Sequence, residues 1–252
     1  AEISLPGGKS WIVKGYPIKD RKGKVINMVE VALDVSERKF MLQERQRNID
    51  KSKRILEETV IALAATAERR DPYTAGHQRR VAQLACAIAK DMGLSKERIE
   101  GIRMAAIIHD VGKVYVPAEI LSKPSKLSDL EFNIIKTHPQ IGYEILEPVE
   151  FPWPVALIVL QHHERINGTG YPKGVDSESI LLEAKILTVA DVVEAMASHR
   201  PYRAALGIDK ALQEISNNKG ILYDPDVVET CINLFQKKHF KFGRKKDDVF
   251  SL

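Results

Sequence analysis

The chain has 252 residues, 44% of them hydrophobic, and a net charge of +4. That composition suits a globular protein with a true core, long enough for one large domain and an attachment. It excludes a bilayer-spanning segment, since no apolar run nears the required length, and a binder of nucleic-acid polymers, since no aromatic residues interleave with the basic ones. The mild basic balance suits an anionic substrate; the basic cluster from Lys237 to Lys246 is otherwise a solvated tail. No basic-then-apolar signal pattern opens the chain, which starts at Ala1 without an initiator Met. A fragment or a processed chain is expected, which leaves open a membrane anchor upstream. Cys86 and Cys231 sit among apolar neighbours and read as small core residues, not a disulfide pair, in keeping with a reducing cytoplasm.

In chain order, Trp11 to Ile18 and Val25 to Leu33 are rich in β-branched residues and flank the turn-rich Asp20 to Lys24. The pattern predicts a hairpin, which alone is marginal and needs further strands or a partner surface. From Ser36 the pattern becomes helical, and Glu37 to Thr66 lacks Pro and Gly. Val35, Leu42, Ile49, Leu56 and Leu63 recur every seven residues, which is half of a coiled-coil seam. The companion positions Arg45, Ser52 and Thr59 are polar, so a parallel dimer helix and a single helix packed on its own domain both stay open.

Helices follow to the end. Thr74 is placed to cap a helix carrying His77, which Gly93 ends. Ser95 caps the next, which runs to His109. Ser128 to Glu131 is a capping box opening a helix toward His138-Pro139. Pro154 begins a helix ending in His162-His163. Asn167 to Gly174 is too rich in Gly to be helical. Ser179 opens a long apolar helix with Asp191, and Asp209 and Asp224-Pro225 start the last two.

His109-Asp110 closes an apolar helical run and is followed by Val111-Gly112-Lys113. Mid-helix neighbours diverge by about 100°, but at a terminus they can converge on one site. Five of the seven histidines, namely His77, His109, His138, His162 and His163, accompany Asp110 and Asp191. Each alone has a plain reading, such as a satisfied core histidine or a helix boundary. Asp191 resists one, because an unpaired carboxylate in an apolar run is expensive to bury. Imidazole and carboxylate donors without thiolate suit a hydrolytic transition-metal site.

The stretches HDVGK (109–113), HHERINGTGYP (162–172), VADVVEAM (189–196) and RPYR (200–203) stand in order, and the chain from Glu58 to Phe235 resembles the HD-GYP family of bacterial cyclic-di-GMP phosphodiesterases. The resemblance implies an all-α bundle of the HD superfamily at 58–252. It implies one metal on His77, His109, Asp110 and Asp191, and a second on His138, His162 and His163, with Asp110 bridging. Iron or manganese is implied; the ligand set does not choose between them, and zinc, nickel or cobalt also fit. A water between two such cations loses a proton near neutral pH and attacks phosphorus. Lys113 would meet phosphate charge or protonate the leaving oxygen, and Arg200 and Arg203 would clamp phosphate. Tyr171 would meet a nucleotide, and the Gly170-Tyr171-Pro172 loop would also contact GGDEF-domain diguanylate cyclases. The expected product is pGpG, with GMP beyond it. The rivals are a phosphodiesterase of another cyclic dinucleotide and a non-catalytic receptor. Residues 1–36 resemble the last strands of a PAS-like sensor, and 37–66 a signalling helix that would pair two chains as a homodimer. Family members with Glu four residues before the first metal His hold a third ion; Tyr73 stands there, so two ions are expected.

Overall fold

A computed structural model describes residues 2–4, 9–68, 76–123, 125–198 and 205–243. The chain divides into two compact units, Ala1–Glu57 and Glu58–Leu252. Among the described residues, no helix is long and apolar enough to cross a membrane.

The first unit carries an antiparallel sheet of β1 (Glu2–Ser4), β2 (Ser10–Lys19) and β3 (Val25–Asp34), in that order. The hairpin is the expected one, paired from Trp11↔Asp34 to Lys19↔Val25. Its turn is tied by Asp20, whose Oδ1 accepts from the amides of Lys22 (2.8 Å) and Lys24 (3.0 Å). The third strand, β1, is an addition to the expected hairpin; three residues are too few to show alternation. β3 is exposed along its whole length.

α1 (Ser36–Glu68) is one continuous helix. Its last turns bury Val60, Ala64 and Ala67 in the second unit. Of the seven-residue series, Leu42, Ile49 and Leu63 are exposed, and Leu56 is half-buried.

The regular elements of the second unit, among the described residues, are helices. Its helices are α2 (His77–Asp91), α3 (Lys96–Ile108), α4 (Ala118–Leu121), α5 (Asp129–Ile135), α6 (His138–Leu146), α7 (Val155–Gln161), α8 (Leu182–Ala197), α9 (Ile208–Asn217) and α10 (Pro225–Gln236). Ser95 caps α3 by accepting from the Arg98 amide. Ser128 and Glu131 close the capping box of α5 in both directions, and Asp224 caps α10. Three starts differ from expectation. Thr74 lies outside the described residues, and the N-cap of α2 is Gly76 with φ +75°. Ser179 ends a 3₁₀ turn, and α8 begins at Leu182 because Ile180 and Leu181 are extended, with ψ 123° and 142°; the Leu181 amide donates to Gln161 Oε1 at 2.9 Å. Asp209 falls inside the first turn of α9, after Gly207.

Leu84 and Ile88 of α2, Ile102, Met104 and Ile108 of α3, Ile158 of α7, and Ile186 and Leu187 of α8 are fully buried together. Each such side chain contributes about 1.5–3 kcal/mol by leaving water. Cys86 and Cys231 are buried free thiols, and burial pushes both up to about 12. The packing of α2, α3, α7 and α8 brings the ends that carry the histidines to one place.

Candidate metal centre

α3 ends at Ile108; His109 is its C-cap, and Asp110 opens a 3₁₀ turn over Val111–Tyr115. This exit lets consecutive side chains face one another, with His109 Nε2 3.5 Å from Asp110 Oδ2. The other oxygen, Oδ1, lies 3.5 Å from His138 Nε2 at the start of α6. Gly112 permits that approach. A Cβ there would fall 2.0 Å from the His138 carbonyl oxygen and 2.7 Å from the Gly142 amide nitrogen.

His162 ends α7 and points its Nε2 at His138 Nε2, 3.2 Å away. The His163 ring lies 4.1 Å from that of His162 and 5.1 Å from that of His138. From the first turn of α2, His77 Nε2 reaches Asp191 Oδ1 of α8 at 3.1 Å, and His109 Nε2 lies 3.9 Å from the same oxygen. Three overlapping groups therefore bring their donor atoms within 4.8 Å of one another: His77–His109–Asp191, His109–Asp110–His162 and His138–His162–His163. All seven residues are buried except His163, which is half-buried.

The outer nitrogens account for the orientation. Nδ1 of His109, His138 and His162 each meets the carbonyl three residues back, at 2.7, 2.7 and 2.5 Å. His77 opens α2, and its Nδ1 meets the Glu194 carboxylate. A proton committed to the outer nitrogen leaves a lone pair on Nε2, directed inward.

The electrostatics run the same way. Burial pushes His138 down to about 4, and puts His162 and His163 well below the usual imidazole range. These three are neutral donors. Burial would raise Asp110, but Lys113 and His109 outweigh it and hold the carboxyl far down. Asp191 is likewise held down against burial by its hydrogen bond to His77. Burial would lower His77, but its bonds to Asp191 and Glu194 raise it to about 9. The neutral imidazoles of His138, His162 and His163 and the ionised carboxylates of Asp110 and Asp191 are donors suited to a divalent transition ion, which would take the place of the proton that His77 shares with Asp191. Without a cation, the two lone pairs of His138 and His162 would face each other at 3.2 Å.

Lys113 Nζ is 2.7 Å from Asp110 Oδ2, on the rim of the cluster. Tyr171 lies over His163 with ring centroids 4.7 Å apart and planes 30° from parallel. Gly170 lets the loop fold back, since a Cβ there would sit 2.4 Å from the Arg165 amide nitrogen; Pro172 follows through a cis peptide. Arg200, Arg203 and Tyr73 lie outside the described residues. Glu68, near Tyr73 in sequence, is raised by burial, while His77 and the amides of Gln78 and Gly76 pull it back.

Two buried carboxylates escaped the sequence reading. Glu194 binds His77, Arg80 and Ser198 Oγ, the last at 2.6 Å. Glu164 accepts from the amides of Lys173 (2.8 Å), Gly174 (3.2 Å) and Val175 (3.3 Å) and so ties the Tyr171 loop. The signal for Glu194 was the same one that singles out Asp191: a carboxylate in an apolar run, one helical turn on.

A helical core that gathers histidines and two aspartates around the end of one helix is an HD-type fold. A profile of the HD domain matches residues 61–227, and the chain belongs to the HD-domain family. The chain is 38% identical over 226 residues to the cyclic di-GMP phosphodiesterase response regulator RpfG of Xanthomonas campestris pv. campestris (strain 8004), covering 87% of this chain and 59% of that protein. It is 34% identical over 219 residues to 3'3'-cGAMP-specific phosphodiesterase 3 of Vibrio cholerae, covering 86% and 48%. A cyclic di-GMP phosphodiesterase of Thermotoga maritima is 39% identical over 193 residues, covering 76% and 52%. The chain thus spans about half of these relatives' length. Among solved structures, the Vibrio cholerae V-cGAP3 phosphodiesterase superposes with a TM-score of 0.58 at 20% identity, over 77% of this chain and 52% of that one. The HD domain of the Listeria monocytogenes phosphodiesterase PgpH, in complex with cyclic-di-AMP, gives 0.52 at 20%, over 73% and 100%. These two likenesses speak for the fold alone.

Proposed function

We propose that this chain is a metal-dependent phosphodiesterase that hydrolyses cyclic-di-GMP to pGpG, with GMP as the further product. The observation that carries the reading is the inward pair of Nε2 atoms on His138 and His162, facing Asp110. His77, His109, Asp110 and Asp191 would hold one ion; His138, His162, His163 and Asp110 a second. The two Asp110 oxygens already face different imidazoles, which supports a bridging role. Iron or manganese is the first choice of metal. Tyr73 offers a phenol, with an ordinary pKa near 10, and Glu68 is drawn to backbone amides; both favour two ions over three.

Two bound cations would supply Lewis-acid polarisation of phosphate and an activated water. The chain's own residues do the rest. Lys113, held at Asp110, is placed to neutralise phosphate charge and to give its Nζ proton to the leaving ribose oxygen. Arg200 and Arg203 are assigned to the phosphate as well. Glu164 holds the loop that sets Tyr171 over His163, beside the substrate. Residues 1–36 are proposed as the end of a PAS-like sensor, 37–66 as a signalling helix pairing two chains, and the Gly170-Tyr171-Pro172 loop as a contact for GGDEF-domain proteins. A cytoplasmic setting fits the second-messenger substrate.

The relatives named for cyclic-di-GMP include the more similar ones, at 38% and 39% against 34% for the cGAMP-specific enzyme. Purified protein loaded with iron or manganese is expected to cleave cyclic-di-GMP faster than 3'3'-cGAMP. The reverse preference would move the substrate to the mixed dinucleotide, and full loading with no cleavage of either would leave a receptor.

A further inference from the structure

The ring of Tyr171 is the start of a ladder that leads away from the centre. Lys136 Nζ lies 5.9 Å from the Tyr171 centroid and 4.8 Å from that of Phe132. Phe132 is 44% exposed, although it is a large apolar ring. It belongs to α5, which buries none of its side chains and leaves Leu130 and Ile134 in solvent too. α5 is nonetheless fixed in place. Its capping box closes one end, Lys123 Nζ holds Glu131 at 2.7 Å, and the Lys136 amide bonds the Phe132 carbonyl at the other.

Lys113 is paired with Asp110, and Lys123 with Glu131 of α5. Lys136 differs. Among the described residues no carboxylate pairs with it, and only aromatic faces attend its charge. A cation over rings keeps its full charge for an incoming anion. A cyclic dinucleotide brings two phosphodiesters and two purines. If one phosphodiester lies at Asp110 and Lys113, the other half needs its own cation and a flat apolar surface.

We propose that Lys136, Tyr171 and Phe132 form a second subsite, which holds the half of a cyclic dinucleotide that is not being cleaved. The Lys136 ammonium faces the second phosphodiester, and the exposed Phe132 ring offers a stacking face to its purine. The proposal rests on the phosphodiesterase reading above and adds to it a residue pair outside the family motifs quoted in the sequence.

The test compares Lys136→Gln, Lys136→Arg and Phe132→Ala with the unaltered protein. Three quantities are read: metal per chain, the Kd of cyclic-di-GMP on chelator-treated protein by calorimetry, and kcat/KM on cyclic-di-GMP against bis(p-nitrophenyl) phosphate. The second substrate has one phosphodiester and no second half. Loss of a hydrogen bond to a charged group predicts roughly a tenfold rise in Kd and KM for Lys136→Gln. Its loss on cyclic-di-GMP should exceed its loss on the small diester by a similar factor, with metal content retained and Lys136→Arg restoring affinity. Equal losses on the two substrates, or unchanged Kd and KM, would overturn the subsite. Unaltered protein that cleaves the small diester but neither binds nor cleaves cyclic-di-GMP would instead defeat the phosphodiesterase reading, and the subsite with it.

Discussion

At four of the five histidines the outer ring nitrogen has a partner, and one partner differs from the rest. His109, His138 and His162 use backbone carbonyls, which no side-chain substitution removes. His77 uses Glu194, itself held by Arg80 and Ser198. Glu194→Gln is therefore expected to weaken metal binding by roughly 10–100-fold, the usual effect of removing a carboxylate behind a ligating histidine. Competition against a graded chelator measures it, and unchanged affinity would show that Glu194 only supports the fold. Gly112 has a different duty: it sets how closely α6 can approach the Asp110 turn. Gly112→Ala should cost about 1–3 kcal/mol by overpacking, and it should also lower metal content, because His138 is carried by the displaced backbone. A melting curve unchanged from the unaltered protein would contradict the close approach. At this scale the sequence was informative about residue type and poor about role. The seven metal-type residues were visible because imidazole and carboxylate in apolar runs are costly to bury unless a cation or a hydrogen bond compensates them. Glu164 and Lys136 were not, since a loop anchor and a cation over two rings depend on partners far apart in the chain.

Helix ends were the most legible elements, because a cap is a local device. Ser95, Ser128 and Asp224 act where the sequence places them. Ser179 does not, because Ile180 and Leu181 run extended before α8 begins, with the Leu181 amide and the Ser179 carbonyl both held by Gln161. The short α5 depends on its box. Hydrogen bonds from Lys123 and from the Ser128 amide hold Glu131 down to about 2, against about 4.3 in an unfolded chain. A depressed carboxylate stabilises the fold fully above its unfolded pKa and loses that effect as pH falls through the folded value. The stability difference between unaltered protein and Glu131→Gln should thus be present at pH 7 and vanish as pH drops from about 5 toward 2. Denaturant melts along that series check it, and a difference independent of pH would refute the assignment. α1 shows what periodicity can and cannot specify. Its seven-residue series predicted an apolar stripe, and Leu42, Ile49 and Leu63 are exposed on it. Val60, Ala64 and Ala67, which do the packing, stand at i, i+4 and i+7, a second helical spacing that the seven-residue series passes over. If the stripe pairs two chains, light scattering should show a dimer that Leu42→Lys with Ile49→Lys converts to monomer; a monomer before substitution would end the idea.

For the whole molecule, the all-α bundle was legible because capping and period agree along the chain, while the meeting of five helices at one centre is a long-range property. The HD motif could be placed at a helix exit from local reasoning. The crossing of α6 over the Asp110 turn could not, beyond the hint of a glycine in HDVGK. The central claim is that this crossing builds a two-ion hydrolytic centre in the second unit. It is tested most directly by titrating chelator-stripped protein with Mn²⁺ or, without oxygen, Fe²⁺, and measuring the initial rate of cyclic-di-GMP hydrolysis against metal bound per chain. The rate should rise to a plateau at two equivalents, and Asp110→Ala should neither bind two ions nor turn over. A plateau at one or three equivalents, or hydrolysis that is indifferent to metal, would contradict it.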